Sequence, residues 1–154
     1  MGMMTGKEYV ESLRTLNHKV YFMGQRIKNV IDEPMFQPHI HAAAMIYQLA
    51  HKPEYEEVMT ATSHLTGEKI NRFTHIHQSI DDLVKKARMM RLLGQKTGTC
   101  FQRCVGLDGL CAVYATTYDM DQKHETDYHE RFKKWLIEVQ KHDWMTSGAM
   151  TDAR

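Results

Sequence analysis

Three cysteines are the side chains of this sequence best suited to bind a metal, and all of them lie between Gly94 and Tyr114. Cys100 and Cys104 are four residues apart, so on a helix their thiols would lie one turn apart on the same face. Cys111 follows close to two turns later, near the same stripe. A Cys-x3-Cys pair supplies two of the four ligands that a zinc ion or a cubane cluster needs. The spacing leaves open a partial metal site, three ligands, or three buried structural thiols.

The residues before the cysteine pair favour negatively charged ligands. Gly94, Gly98 and the threonines at 97 and 99 would place Cys100 at or near the start of a helix. There the unpaired N–H groups and the positive end of the helix dipole favour the thiolate form. Iron–sulfur clusters need thiolate ligands and carry negative charge, so such a position suits them.

Two histidine pairs are weaker candidates for a zinc site: His39 with His41, and His75 with His77. An extended segment would point both members of a pair to one side, whereas on a helix residues two apart diverge. Either pair could complete a zinc site, or its members could be ordinary surface and core-edge histidines.

Three arginines, Arg88, Arg91 and Arg103, could face an anionic ligand or be solvated bases on a helix. The sequence has no phosphate-binding loop, no dinucleotide-binding glycine fingerprint and no nucleophile elbow. Motif chemistry therefore rests on the cysteines.

Composition indicates one globular domain. The hydrophobic share is 42% and the charged share is 25%, as in globular rather than disordered or membrane proteins. The formal net charge of +1, with acids and bases interspersed, gives no footprint for nucleic acid. No apolar run has membrane-spanning length, and the N-terminus lacks the apolar segment of a signal peptide. We therefore expect a cytoplasmic protein with reduced thiols and no membrane partner.

Helical periodicity runs through most of the chain. Thr5 and Glu8 form a capping box for a first helix, and Ser79 with two following acids begins a long amphipathic one. The predicted helical segments are 5–17, 39–52, 53–62, 79–96, about 99–117 and 126–144. Between them we expect an extended stretch at 18–27, a connection at 31–38 and a loop at 63–78.

The stretch INRFTHIHQSIDDLVKKARMMRLLGQKTGTCFQRCVGLDGLCAVYATTYDMDQK resembles the 4-hydroxybutyryl-CoA dehydratase (vinylacetyl-CoA Δ-isomerase) family. The resemblance extends from MTGKEYVESL near the N-terminus to the closing GAMTD, and LLGQKTGTCFQRCVG is its most specific part. The wider superfamily includes flavin-dependent phenol hydroxylases, which lack the cysteine pair.

The resemblance implies an all-α segment: the helical N-terminal domain of an acyl-CoA dehydrogenase-like fold. Residues 1–145 would be that domain, and 146–154 would begin a linker to a β-domain, which a C-terminal helical bundle follows in a homotetramer. The family holds FAD and a [4Fe–4S] cluster bound by three Cys and one His. Cys100 and Cys104 match the first two ligands, and the remaining domains or a second polypeptide would supply the other His and Cys. Cys111 matches no ligand.

The implied reaction is a radical dehydration of 4-hydroxybutyryl-CoA to crotonyl-CoA, in which the flavin takes up an electron and hydrogen from an acyl-CoA substrate and iron acts as a Lewis acid on the 4-hydroxyl. Gln102, between the two ligands, would contact the active site. Met150, Thr151 and Asp152 match the start of a family loop, roughly M-T-D-P-K-G-D-R, that lies against FAD, but Ala153 and Arg154 depart from it. With two of four ligands, the chain alone is expected to be inactive.

Two alternatives remain beside the dehydratase. One is a domain of a flavin-dependent monooxygenase of the same superfamily, against which the cysteine pair speaks. The other is a non-catalytic helical assembly module in which the thiols are only buried.

Overall fold

A computed structural model describes residues 2–98 and 103–148 of the chain. Its α-helices are, in chain order, α1 (Gly6–Thr15), α2 (Gln37–Leu49), α3 (Glu56–Met59), α4 (Ile80–Thr97), α5 (Cys104–His124) and α6 (Tyr128–His142). Two antiparallel hairpins pair β1 (Val20–Phe22) with β2 (Gln25–Ile27), and β3 (Thr60–Thr62) with β4 (Lys69–Asn71). Short 3-10 turns lie at Val30–Asp32, Pro34–Phe36, Pro53–Tyr55 and Arg72–Thr74. The fold is mainly helical, and the expected all-α class is too strict.

The predicted helix starts at α1 and α4 are confirmed, because local capping decides both. The Thr5 side chain accepts a hydrogen bond from the Glu8 N–H, and Glu8 reaches back to the Thr5 N–H. Ser79 caps α4 by accepting from the Asp82 N–H. In the described part of the chain, no helix is both long and apolar enough to span a membrane.

Three predicted segments differ from the structure. The helix expected at 53–62 is short, because Thr60–Thr62 pairs with Lys69–Asn71 as a hairpin. The loop expected at 63–78 therefore contains a strand and a 3-10 turn, and the Asn71 side chain caps that turn. The cysteine helix begins at Cys104 and continues to His124, so the expectation that Cys100 begins it is wrong.

Two clusters of buried apolar side chains form the core. The larger one joins α2, α4 and the first half of α5, with fully buried Ile46, Leu93 and Leu107 among its members. The smaller one packs α5 on α6. Cys104 packs against the larger cluster and Cys111 against both, so the two thiols lie on the core-facing side of α5.

A buried ion pair fixes the start of α4 to the hairpin before it. The Arg72 guanidinium donates to the Val58, Glu57 and Thr60 carbonyls, and its Nη1 lies 3.4 Å from Asp82 Oδ1. His75 Nε2 lies 3.2 Å from the same oxygen, in an ion-pair contact rather than a well-aligned hydrogen bond. Burial raises the pKa of Asp82, but N–H and O–H donors, the His75 ring and its charge more than offset this, and the pKa falls to about 2.

This ion pair predicts an acid-sensitive contribution to stability. A carboxyl whose pKa falls on folding stabilises the folded state above its ordinary pKa of 3.8, and that contribution disappears as the pH falls through about 2. The shift corresponds to about 2 kcal/mol. We expect Asp82→Asn to lower the urea midpoint at pH 7 and to remove this part of the acid dependence between pH 4 and 2.

Asp81→Asn is the matched control, because Asp81 is also in the first turn of α4 but has an exposed side chain. Its acid dependence should follow that of the unaltered chain. Equal loss of acid dependence in both variants would contradict the assignment to Asp82.

Candidate cofactor site

Cys104 is the candidate ligand that the structure describes, and it is the first residue of α5. Arg103 precedes it, and within the described residues no side chain caps the first N–H groups of the helix. These groups and the helix dipole favour negative charge at this end. The Cys104 thiol is free and half-buried. Cys100 and Gln102 lie outside the described residues, so their predicted roles remain predictions.

The segment that follows α6 packs directly on this first turn of α5. A Cβ added to Gly106 would lie 2.0 Å from the Thr146 carbonyl oxygen, and one added to Gly148 would lie 2.5 Å from Cγ1 of Val105. Both glycines are therefore needed for the close approach. Met150, Thr151 and Asp152, the predicted FAD contacts, lie outside the described residues, but the chain that leads to them passes beside Cys104.

A buried ion pair between Arg103 and Asp143 joins the same two segments. Arg103 Nη2 lies 3.0 Å from Asp143 Oδ1 and 3.4 Å from the Trp144 carbonyl oxygen. Both side chains of the pair are only 1% exposed. The guanidinium lies between the rings of Tyr47 and Phe73, with its carbon 4.5 Å and 4.9 Å from their centroids.

Asp143 gathers further partners from distant parts of the chain. Its Oδ2 accepts from the Met4 N–H at 3.2 Å and from Asn71 Nδ2 at 3.4 Å, and its carbonyl accepts from the Tyr47 hydroxyl at 2.9 Å. Burial raises the pKa of Asp143, although the Arg103 charge and these N–H donors oppose the rise. The residue has a left-handed backbone, with φ of 48°, at the end of α6.

The three candidate arginines thus have different environments. Arg88 and Arg91 are exposed on α4, as solvated helix bases would be. Arg103 is neither a solvated base nor open to a ligand, so both of its predicted roles are wrong. Its partner lies 40 residues away in the sequence, and no local pattern could have identified it.

The histidine pairs do not converge on a common point. His75 faces Asp82, whereas His77 Nδ1 lies 3.6 Å from the Cys111 sulfur. His39 and His41 lie two apart on helix α2, where side chains diverge. Among the described residues, no group of three or more His, Cys, Asp or Glu could hold a metal ion.

Cys111 has the surroundings of a packing residue. Burial raises the pKa of its thiol, which favours the protonated form. The sulfur contacts the His77 ring and the His75 carbonyl oxygen, and it packs between the two core clusters. We interpret Cys111 as structural.

A groove of about 810 Å³ lies between α1 and the segment after α6. Tyr9 and Tyr47 stack within its lining with ring centroids 4.7 Å apart. Leu13, Trp144 and Met145 also contribute to it. A lining of rings and apolar side chains suits a flat aromatic group.

Comparison with known proteins identifies the family. Residues 5–154 match the family model described as 4-hydroxyphenylacetate 3-hydroxylase N terminal. The chain belongs to this family. Within the 4-hydroxyphenylacetate 3-hydroxylase N-terminal family, a Clostridium aminobutyricum relative named 4-hydroxybutyryl-CoA dehydratase/vinylacetyl-CoA-Delta-isomerase is 52% identical over 152 residues, 99% of this chain and 31% of the relative.

Solved structures of the same family share the fold. An oxygen-tolerant archaeal 4-hydroxybutyryl-CoA dehydratase from N. maritimus matches with a TM-score of 0.89 and 45% identity over 93% of this chain and 28% of that one. The oxygenase component (HpaB) of 4-hydroxyphenylacetate 3-monooxygenase matches with a TM-score of 0.76 at 21% identity, over 98% and 31% of the two chains. Its complex with FAD matches at 0.66 and 20%, over 91% and 28%. The chain spans less than a third of these relatives.

Proposed function

We propose that this chain is the N-terminal helical part of a dehydratase that converts 4-hydroxybutyryl-CoA to crotonyl-CoA and also has vinylacetyl-CoA Δ-isomerase activity. The observation that carries the proposal is 52% identity over 99% of the chain to an enzyme of that name. Residues 1–145 form the helical domain of an acyl-CoA dehydrogenase-like fold, and 146–154 begin the connection to a β-domain. The complete enzyme is a cytoplasmic homotetramer.

Cys100 and Cys104 are proposed as two ligands of a [4Fe–4S] cluster, with His and Cys from the remaining domains or a second polypeptide. The surroundings of Cys104 fit this role, because a free, half-buried thiol stands at a helix start without a side-chain cap within the described residues. Thiolates and helix N–H groups both suit a negatively charged cluster.

FAD is proposed to contact Met150, Thr151 and Asp152. The ring-lined groove beside Trp144 fits a flat cofactor, and the segment from Thr146 to Gly148 brings the chain past Cys104 on its way to these residues. A relative with the same fold has been solved with FAD, which supports the choice of cofactor.

The chain's own residues bind and orient in this mechanism. When bound, the two cofactors supply hydrogen and electron transfer and a Lewis acid for the departing hydroxyl. Such chemistry is needed because the β C–H of the substrate is not acidic enough for simple elimination. Cys100 and Cys104 hold one cofactor, Gln102 orients the acyl-CoA substrate through its amide, and the apolar groove excludes water.

The test is a full-length enzyme in which this chain replaces the matching segment of the Clostridium aminobutyricum relative. Prepared without oxygen, it should contain iron, acid-labile sulfide and FAD, and it should form crotonyl-CoA from 4-hydroxybutyryl-CoA. We expect Cys104→Ser to remove most of the iron and to lower turnover by more than the roughly 100-fold that loss of an outer-shell partner causes.

Cys111→Ser is the matched control, since it changes a half-buried thiol on the same helix. It should change stability by about 1 kcal/mol and leave iron, sulfide and turnover intact. An enzyme that binds FAD but no iron and oxidises a phenol would instead indicate the monooxygenase. Full iron content in Cys104→Ser, or no cofactor at all, would point to the assembly module.

A further inference from the structure

The two segments proposed to hold different cofactors are joined in three places. Arg103 contacts Asp143 and the Trp144 carbonyl through its Nη2. Thr146 lies against Gly106, and Gly148 lies against Val105. The stretch that begins at the cluster ligands and the stretch that leads to the flavin contacts therefore form one packed unit.

Arg103 is the charged element of this unit. It separates Gln102 from Cys104 in the sequence, and its guanidinium is held by two rings and a carboxylate away from solvent. Water and salt do not screen such a pair, and the arginine keeps its charge at every relevant pH. Movement of the Cys104 backbone must therefore either carry Asp143 with it or break a buried ion pair.

We propose that Arg103 is a positioning residue that couples the binding of FAD to the binding of the cluster, through Asp143. The inference rests on the proposed function and adds a coupling between its two cofactor sites. Loading the cluster on Cys100 and Cys104 would fix the backbone at Arg103 and, through the ion pair, the chain from Asp143 to Gly148. FAD would then bind a segment that is already ordered, at a smaller loss of conformational entropy.

Coupling of this kind is reciprocal and measurable. If the cluster raises the affinity for FAD by some factor, FAD must raise the affinity for the cluster by the same factor. The experiment measures the FAD dissociation constant of the full-length exchange enzyme with the cluster loaded and after anaerobic removal of the iron. We expect the ratio for the unaltered enzyme to lie within the roughly 5- to 150-fold range of such couplings.

Two variants break the link in different ways. Asp143→Asn removes the charge but tolerates the left-handed backbone, because asparagine adopts this conformation readily. Arg103→Lys keeps the charge but cannot reach both the carboxylate and the Trp144 carbonyl as the planar guanidinium does. We expect the ratio to approach unity in Asp143→Asn and to fall in Arg103→Lys.

Asp82→Asn and Arg72→Lys are the matched controls. They make the same changes in the other buried arginine–aspartate pair, which contacts neither cofactor segment in the described structure. Both should lose stability and keep the ratio, because a loss of stability alone does not change the coupling.

An unchanged ratio in Asp143→Asn and Arg103→Lys would overturn the inference, and so would an equal fall in all four variants. A ratio of unity in an unaltered enzyme that holds both cofactors would overturn it while leaving the proposed function intact. An unaltered enzyme that holds no iron would overturn the proposed function and this inference together.

Discussion

Replacement of Arg103 by methionine is expected to lower the free energy of unfolding of the chain by about 3–5 kcal/mol. The reason is the carboxylate that remains. Asp143 is 1% exposed and would keep its burial while losing the guanidinium 3.0 Å away. Removal of one partner from a buried pair costs more than the pair itself contributes, because an uncompensated charge stays inside. Urea denaturation at pH 7 measures the change.

The effect of Arg103→Met should also depend on pH in a defined direction. Burial already places the pKa of Asp143 above its ordinary value of 3.8, and loss of the cation raises it further. A folded-state carboxyl with a raised pKa is stabilised relative to the unfolded chain as the pH falls. The difference between variant and unaltered chain should therefore narrow between pH 7 and pH 4.

Arg91→Met is the control for this experiment, since Arg91 is exposed on α4. The same substitution there should change stability by no more than about 0.5 kcal/mol. A double variant, Arg103→Met with Asp143→Asn, should lose less than the sum of its single changes, because both remove the same contact. Strict additivity would contradict a direct ion pair.

The second large effect is expected at Gly106. A methyl group at this position would lie 2.0 Å from the Thr146 carbonyl oxygen and 2.5 Å from its carbon, and the backbone would have to move. Overpacking of this kind costs about 1–3 kcal/mol, and here it should outweigh the roughly 1 kcal/mol that alanine adds to a helix interior. We expect Gly106→Ala to destabilise the chain and, in the full-length exchange enzyme, to weaken FAD and iron binding together.

Gly109→Ala provides the matched comparison on the same helix. Gly109 is exposed, and an added Cβ there has no described neighbour within 4 Å. The substitution should raise the thermal midpoint through helix propensity alone. If Gly106→Ala stabilised the chain as much as Gly109→Ala, the packing of Thr146 on α5 would be disproved.

Local signals in the sequence were sufficient wherever neighbouring residues decide the structure. The starts of α1 and α4 could be predicted because their capping side chains are within three residues of the N–H groups that they bind. The extended stretch at 18–27 was likewise correct, as a hairpin that turns at Met23 and Gly24.

The start of α5 could not be predicted, because distant residues hold the residue before it. Gly98 and the threonines around it suggested a helix from Cys100, whereas α5 begins after Arg103, a residue without a side-chain cap that Asp143 and two aromatic rings hold in place. For the same reason, the cysteine pair could be predicted as a candidate site, but the ion pair beside it could not. Cys104 is where the structure can place a ligand, and Cys100, Gln102 and Met150–Asp152 remain predictions.

The hydrogen bond between the Met4 N–H and Asp143 has a consequence for synthesis of the chain. Its two residues are 139 positions apart, so at about 5–20 residues per second the ribosome needs roughly 7 to 28 s to make the second after the first. Until α6 has emerged, the N-terminal segment, Tyr47 and Arg103 lack the carboxylate and carbonyl that they finally share. The nascent chain therefore carries a buried-type arginine without its partner, which makes this interval the period when the chain most needs protection from aggregation.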